Sequence, residues 1–371
     1  MYIGRPRRSR WPSVLLVLII VAAGVWFVRA QDLTTLPLPG RPRPSPSPTE
    51  PSSQDYLALA DQAFADGSLM EAISAYRRTI EIDPMNATAH ARLARVLTLR
   101  SRPEEGLRMA QRAVQLDAES AENQAILGMV LDWNGQYDAA IEASLKALDL
   151  DPNYSTAYAY LAEAYADKGR LDRALQMAEK AVSLHEQDYE AHRNLGYVLE
   201  RGGDYEAALA HYAQAIALQP NLVYLYLSLG RNYRRLRDYD GAIEQYRLGI
   251  QVDPRDPTSY DALGLAYFDQ LDYDQAIANF KKAAEVDPEF AMAYGHLGWC
   301  YYVQRRYEDA IPQLEKALEL GATTVEFYYE LGLSYAYIGD CDAGRPWLDK
   351  ALELDPTSQP ALQGLTYCQN K

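Results

Sequence analysis

Residues 257–290 read PTSYDALGLAYFDQLDYDQAIANFKKAAEVDPEF, and this stretch holds the features that decide the fold. Tyr260, Leu263, Gly264 and Tyr267 follow the i, i+3, i+4, i+7 spacing that places side chains on one face of an α-helix. Gly264, in the middle of that face, lets a second helix approach closely, and Ala276 supplies a small face for it to meet. The second helix must end at Asp287-Pro288, because Pro has no N–H to donate and disfavours helix in the residue before it. A helical hairpin of this size cannot bury its own apolar face, so it has to stack on a copy of itself.

Copies lie on both sides. Proline occurs at 84, 152, 220, 254, 288 and 356, five times after Asp and once after Gln. Ala118, Glu186 and Ala322 fill the gaps in a series that steps by 34 throughout. With Pro288 at position 32, nine units begin at 53, 87, 121, 155, 189, 223, 257, 291 and 325. Position 7 is then Leu in every unit, from Leu59 to Leu331, and positions 8 and 20 are always Ala or Gly. Position 11 is Tyr or Leu in eight units and Ala63 in the first. Gly67, Gly135, Gly169, Gly203 and Gly339, all at position 15, supply the turn between the two helices.

This pattern of small residues, Tyr, Ala and Asp-Pro resembles the tetratricopeptide repeat over residues 53–358. The resemblance implies an all-α, right-handed solenoid of nine helix-turn-helix hairpins, with the first helices lining a concave surface. Residues 359–371, QPALQGLTYCQNK, fit a shortened tenth first helix that caps the array, with Leu362 and Leu365 at positions 4 and 7. Pro312 and Pro346 fall in the first turns of their second helices, where a missing donor costs least. The composition agrees: 29 Tyr against 6 Phe, with Ala recurring at fixed intervals, suits close-packed helices better than a sandwich or barrel.

The chain before the array reads differently. Residues 14–28, VLLVLIIVAAGVWFV, are apolar without interruption, and with Trp11, Pro12 and Ser13 the run approaches the roughly 17–25 residues that span a bilayer. Arg5, Arg7, Arg8 and Arg10 precede it, and Trp11 and Trp26-Phe27 sit near its ends as interfacial aromatics do. We therefore expect a short basic cytoplasmic tail over 1–10, a transmembrane helix over 11–30, and an extracytoplasmic body. The alternative is an exported chain cleaved near Ala30, and both readings export the body. Residues 31–52 contain seven prolines between Pro37 and Pro51, which favours an extended linker that stands the body off the membrane.

Charge and chemistry narrow the function. The net charge is −15, and beyond residue 52 there are 29 basic and 49 acidic residues, a net of −20. Such a body repels phosphate backbones, so no nucleic-acid partner is expected. The five histidines form no HExxH, and His90 and His192 fall at position 4, a packing site. Asp83, Asp117, Asp151, Asp253, Asp287 and Asp355 belong to the repeat's terminator, where local helix-end geometry accounts for them. Cys300, Cys341 and Cys368 form no CxxC pair and read as structural thiols, not a disulfide framework. No enzyme, cofactor, metal site or small-molecule substrate is expected.

What remains is a protein-binding surface. Positions 2, 5, 9 and 12 of the first helices form a stripe rotated away from the packing face. In units two to four this stripe is mostly small or polar, and includes Asp132 and Glu163. In units six to nine it offers Tyr224, Leu227, Arg231, Arg234, Phe268, Trp299, Tyr302 and Tyr329. Aromatics beside Arg are the composition of interaction hot spots, so these eight are the candidate groove residues for a protein or peptide segment. The alternative is that the aromatics pack between units. Arg193, Arg231, Arg234 and Arg235 form the one basic spot on an acidic body, which either docks an acidic peptide or answers neighbouring carboxylates such as Glu190 and Asp238. The Lys and Asn with which some family members clamp a terminal carboxylate are absent from positions 5 and 9. The sequence thus points to a membrane-tethered scaffold for complex assembly, secretion or envelope maintenance. The alternative is a non-catalytic subunit of a membrane enzyme complex for glycan handling or cytochrome maturation.

Overall fold

The computed structural model describes residues 51–100 and 102–370. The expected tail, transmembrane segment 11–30 and the linker up to Glu50 lie outside the described residues. Among the described residues no helix is long and apolar enough to cross a membrane. They form nineteen α-helices and no strand. In each unit the first helix begins at position 1 and the second at position 17, so unit seven consists of Pro257–Asp269 and Tyr273–Val286. Each first helix packs most heavily on its own second helix, then on the neighbouring units, which is the nearest-neighbour stacking of a solenoid.

The punctuation works as the spacing predicts. All six terminator aspartates accept a hydrogen bond from the backbone N–H two residues on, for example Arg255 N to Asp253 Oδ1 at 2.9 Å. The turn at position 15 requires a left-handed backbone in every unit where it is described. Five units place Gly there, but Arg237, Leu271 and Arg305 adopt φ of 61°, 64° and 60° without that freedom. Asp204, Asp238, Asp272 and Asp340, one residue later, accept from the third N–H of the second helix and cap it.

Two positions do more than their spacing shows. The partner of the small residue at position 8 is chiefly position 24, not position 20. A Cβ on Gly230 would stand 2.4 Å from the Tyr246 ring, and one on Gly264 would stand 2.6 Å from Phe280. Tyr76, Tyr212, Tyr246 and Phe280 occupy position 24 fully buried, each contributing roughly 1.5–3 kcal/mol. Position 4 is a polar tie as well as a packing site. His90, Gln124, His192, Tyr226 and Tyr260 each reach the carbonyl of position 32 in the preceding unit, at 2.9–3.3 Å. This satisfies a loop carbonyl just beyond the C-cap of the second helix.

The ends differ from the middle. Leu59, at position 7 of the first unit, is 56% exposed because no earlier unit covers it. The last helix, Gln359–Gln369, caps the array through Ala361 and Gly364, where a Cβ on Gly364 would meet Leu333 and Leu348 at 2.9 Å. Leu362 stays 40% exposed for want of a tenth second helix. The reading of all three cysteines as thiols is corrected here. Cys341 and Cys368 form a disulfide with a Cα–Cα distance of 5.5 Å, and only Cys300 is a free, buried thiol. The spacing hid this pair because its members face each other across two helices, 27 residues apart.

The superhelix closes on itself after about five units. The loop from unit five to unit six sits against the turn of unit one, where Gln219 and Asn221 donate to the Ala65 carbonyl at 3.1 and 3.3 Å. One apolar cluster joins Phe64, Leu69 and Ile73 to Ala215, Leu222 and Leu225. Arg100 spans the same seam, 3.5 Å from both Asp253 and Asp256, and Arg255 pairs with Glu71 at 3.3 Å.

Candidate functional site

Because the first turn closes, its inner wall becomes a half-open cavity of about 690 Å3 rather than an open groove. That volume lies within the roughly 300–1,000 Å3 of typical ligand sites. Units two to seven all contribute to its wall. Its centre is Arg193, on the first helix of unit five (Tyr189–Gly202). Arg193 Nη1 donates to Glu163 Oε2 at 2.5 Å and to Asn194 Oδ1 at 2.6 Å. Three rings surround its guanidinium, Trp133 at 5.8 Å, Tyr197 at 5.5 Å and Tyr224 at 6.0 Å, all within cation–π range. Trp133 Nε1 also donates to Glu163 at 3.2 Å, and the Tyr197 hydroxyl donates to Asp167.

Beside Arg193 the wall is acidic. Asp132 is 3% exposed, and neither of its carboxylate oxygens has a hydrogen-bond donor among the described residues. Burial, reinforced by the facing charges of Glu163 and Asp167, raises its pKa well above the usual carboxylate range, and Arg193 offsets this only in part. Arg193 Nε is likewise buried without a partner. The wall as a whole carries Asp132, Glu163, Asp167, Asp256 and Asp287 against Arg100, Arg193 and Arg231. Among the described residues no group of three or more His, Cys, Asp or Glu side chains is placed to hold a metal ion.

The eight candidate groove residues do not form one surface. Tyr224, Leu227 and Arg231 line this cavity. Arg231 Nε is held by Glu200 at 2.9 Å, and Arg234 Nε by Asp269 at 2.8 Å, so both cations answer carboxylates. Arg234 borders a smaller hollow with Arg231, Arg235 and Asp269. Phe268 stacks on Trp299 between units seven and eight, with centroids 3.9 Å apart and the rings inclined by 30°. Tyr302 meets Tyr307 at 5.8 Å, and Tyr329 packs beside Leu333 and Leu348 under the final helices. These four aromatics are therefore partly covered by their neighbours.

In the sequence, Asp132 and Glu163 lie on the stripe in units that read as mostly small or polar, Arg193 is named only in the basic spot, and Trp133 and Asp167 fall outside the groove candidates. Their shared signal is available in part, because Asp132, Glu163 and Arg193 occupy stripe positions 12, 9 and 5 of consecutive units. That the far side of the turn closes over them could not be read from the repeat alone.

The comparisons with known proteins agree with the repeat. The profile for the C-terminal domain of cilia and flagella-associated protein 70 matches residues 185–371. Two tetratricopeptide repeat profiles match residues 133–196 and 57–121. No curated protein matches the chain. Among solved structures, the anaphase-promoting-complex hetero-tetramer Cut9-Hcn1 aligns with a TM-score of 0.62 at 17% identity, over 86% of this chain and 67% of that one. Yeast Tom70 aligns with a TM-score of 0.55 at 14% identity, over 86% of this chain and 88% of that one. At these identities the structural likeness carries the fold alone. The chain belongs to the tetratricopeptide-repeat family, and its residues 185–371 to the domain family that the first profile describes.

Proposed function

We propose that the chain is a non-enzymatic, membrane-tethered scaffold that holds segments of partner proteins inside the first turn of its solenoid, on the extracytoplasmic side. The observation that carries this reading is the cavity around Arg193, walled by aromatic and charged side chains that repeat solenoids present as binding surfaces. A pocket built from many units is suited to an extended segment, which can touch several first helices at once. The disulfide Cys341–Cys368 supports an oxidising compartment for the body, and the apolar run 14–28 supports the tether.

Three measurements test it. Full-length protein should resist alkaline carbonate extraction, and protease added to the extracytoplasmic face of sealed vesicles should digest the array. Extraction into the soluble fraction would remove the tether, and protection would reverse the orientation. For the binding role, Leu227→Trp places a larger ring in the cavity and should cut recovery of co-purifying partners at least tenfold while the helical content stays unchanged. Undiminished recovery would move the binding site off this wall.

A further inference from the structure

Resting on the scaffold reading, the geometry points to a selective site: we propose that the cavity takes a lysine or arginine side chain from a basic segment of the partner, with Asp132 as its anchor. Three buried groups on the wall lack partners among the described residues, the Asp132 carboxylate, Arg193 Nε and the Tyr224 hydroxyl, and the first two are of opposite kinds. Asp132 offers two acceptor oxygens with no donor in reach, and Arg193 Nε offers one donor with no acceptor. A cationic side chain answers the first, and a backbone carbonyl of the same segment answers the second. Leaving either group unpaired in a buried site is costly, so an occupant that supplies both is favoured over solvent.

The remaining charges select the same sign. Glu163 is taken up by Arg193 and Trp133, and Arg231 by Glu200, but among the described residues no cation pairs with Asp132. An acidic segment entering the cavity would meet Asp132, Glu163 and Asp167 on one wall. The net −20 of the chain beyond residue 52 adds long-range attraction for a basic partner.

The empty site also has an internal solution, and it sets the choice of variant. Raised in pKa by burial and by Glu163 and Asp167, Asp132 can hold a proton and donate it to Asp167. Asn at this position keeps a donor toward Asp167 and the same shape, so a merely structural role survives the change. The anchor for a cation does not.

The test uses full-length protein and three fluorescent pools of mixed-sequence nonapeptides, acetylated and amidated, with Lys/Arg, Asp/Glu or Ala fixed at the two central positions. The wild type should bind the Lys/Arg pool at least tenfold more tightly than the other two. Asp132→Asn should lose at least tenfold of that preference, with a melting temperature unchanged or raised. Preference for the Asp/Glu pool, or an unaltered preference in Asp132→Asn, would overturn the basic-segment proposal. The same titrations on Leu227→Trp separate the two readings. If Asp132→Asn changes nothing while Leu227→Trp abolishes binding of every pool, the selectivity falls and the scaffold cavity stands. If Leu227→Trp also binds every pool as the wild type does, both fall.

Discussion

Gly67 and Gly169 occupy the same position of their units, with φ of 75° and 76°. Changing each to Ala measures the closure of the superhelix against an internal control. Both substitutions force an L-residue into the left-handed region, a cost of roughly 1–2 kcal/mol that is partly offset because Ala also restricts the unfolded chain. At Gly169 nothing lies within 4 Å of the added Cβ, so that strain is the whole effect. At Gly67 the Cβ would stand 1.9 Å from the Asn221 carbonyl oxygen, backbone against backbone, and the loop after unit five must move away. With it go the hydrogen bonds from Gln219 and Asn221 to Ala65, about 1 kcal/mol each, and part of the burial of Phe64, Leu222 and Leu225. We expect Gly67→Ala to lose about 2–4 kcal/mol more than Gly169→Ala, the sum of those lost bonds and burial. Hydrogen exchange is the suitable assay, because a long repeat array need not unfold in one step. The excess should appear in residues 60–73 and 215–225, on the two sides of the seam. Equal losses at the two glycines would refute the closure, and with it the cavity that depends on it.

Three further outcomes follow from single features. Leu271, with φ of 64° and 69% exposure, is strained at a turn that five units build with Gly, so Leu271→Gly should stabilise unit seven by about 0.5–1 kcal/mol in urea denaturation; destabilisation would mean that its side chain matters more than its backbone. Glu330 is 2% exposed, and burial, with the nearby charge of Glu326, pushes its pKa up to about 9 from an ordinary 4.5. The folded state then binds this proton more tightly than the unfolded state, so the wild type loses stability as pH rises from 4.5 to 9. Glu330→Gln removes that loss, and its advantage in melting experiments should grow with pH to at most about 3 kcal/mol at pH 7; a gap independent of pH would contradict the burial argument. Reducing Cys341–Cys368, which closes a separation of 27 residues, should loosen the last helix by up to about 3 kcal/mol and raise exchange in residues 359–369 while leaving the first turn unchanged. Unaltered exchange there would show that the packing of Ala361 and Gly364 holds the helix without the bond.

The repeat was legible because each hairpin is built from local rules that recur in every unit. Leu at position 7, small residues at 8 and 20, and the Asp-Pro terminator locate both helices of unit seven without any long-range information. The large partner at position 24 was harder to read, because Tyr76, Ser144, Ala178 and Leu314 share a place but not a size. The functional surface was less legible still. Trp299 and Phe268 have hot-spot composition and stripe positions, yet their 3.9 Å stack depends on how far unit eight rotates against unit seven. Asp132 and Arg193 lie on different units and become one wall only through the accumulated curvature of the array. The seam brings Gly67 of unit one against Asn221 of unit five, and no pattern within a single unit encodes where one turn of the superhelix meets the next.

The proposed function requires that the first-turn cavity, and not the outer surface, holds the partner. Site-specific photo-crosslinking of the full-length protein in the cells that make it decides this. A photoreactive phenylalanine replaces Leu227, on the cavity wall, or Leu145, 44% exposed on a second helix. We expect protein adducts from position 227 that disappear in the Asp132→Asn background, their cross-linked residues lying beside Lys or Arg, with position 145 yielding none of the same adducts. Identical adducts from both positions, or adducts from 145 alone, would contradict it.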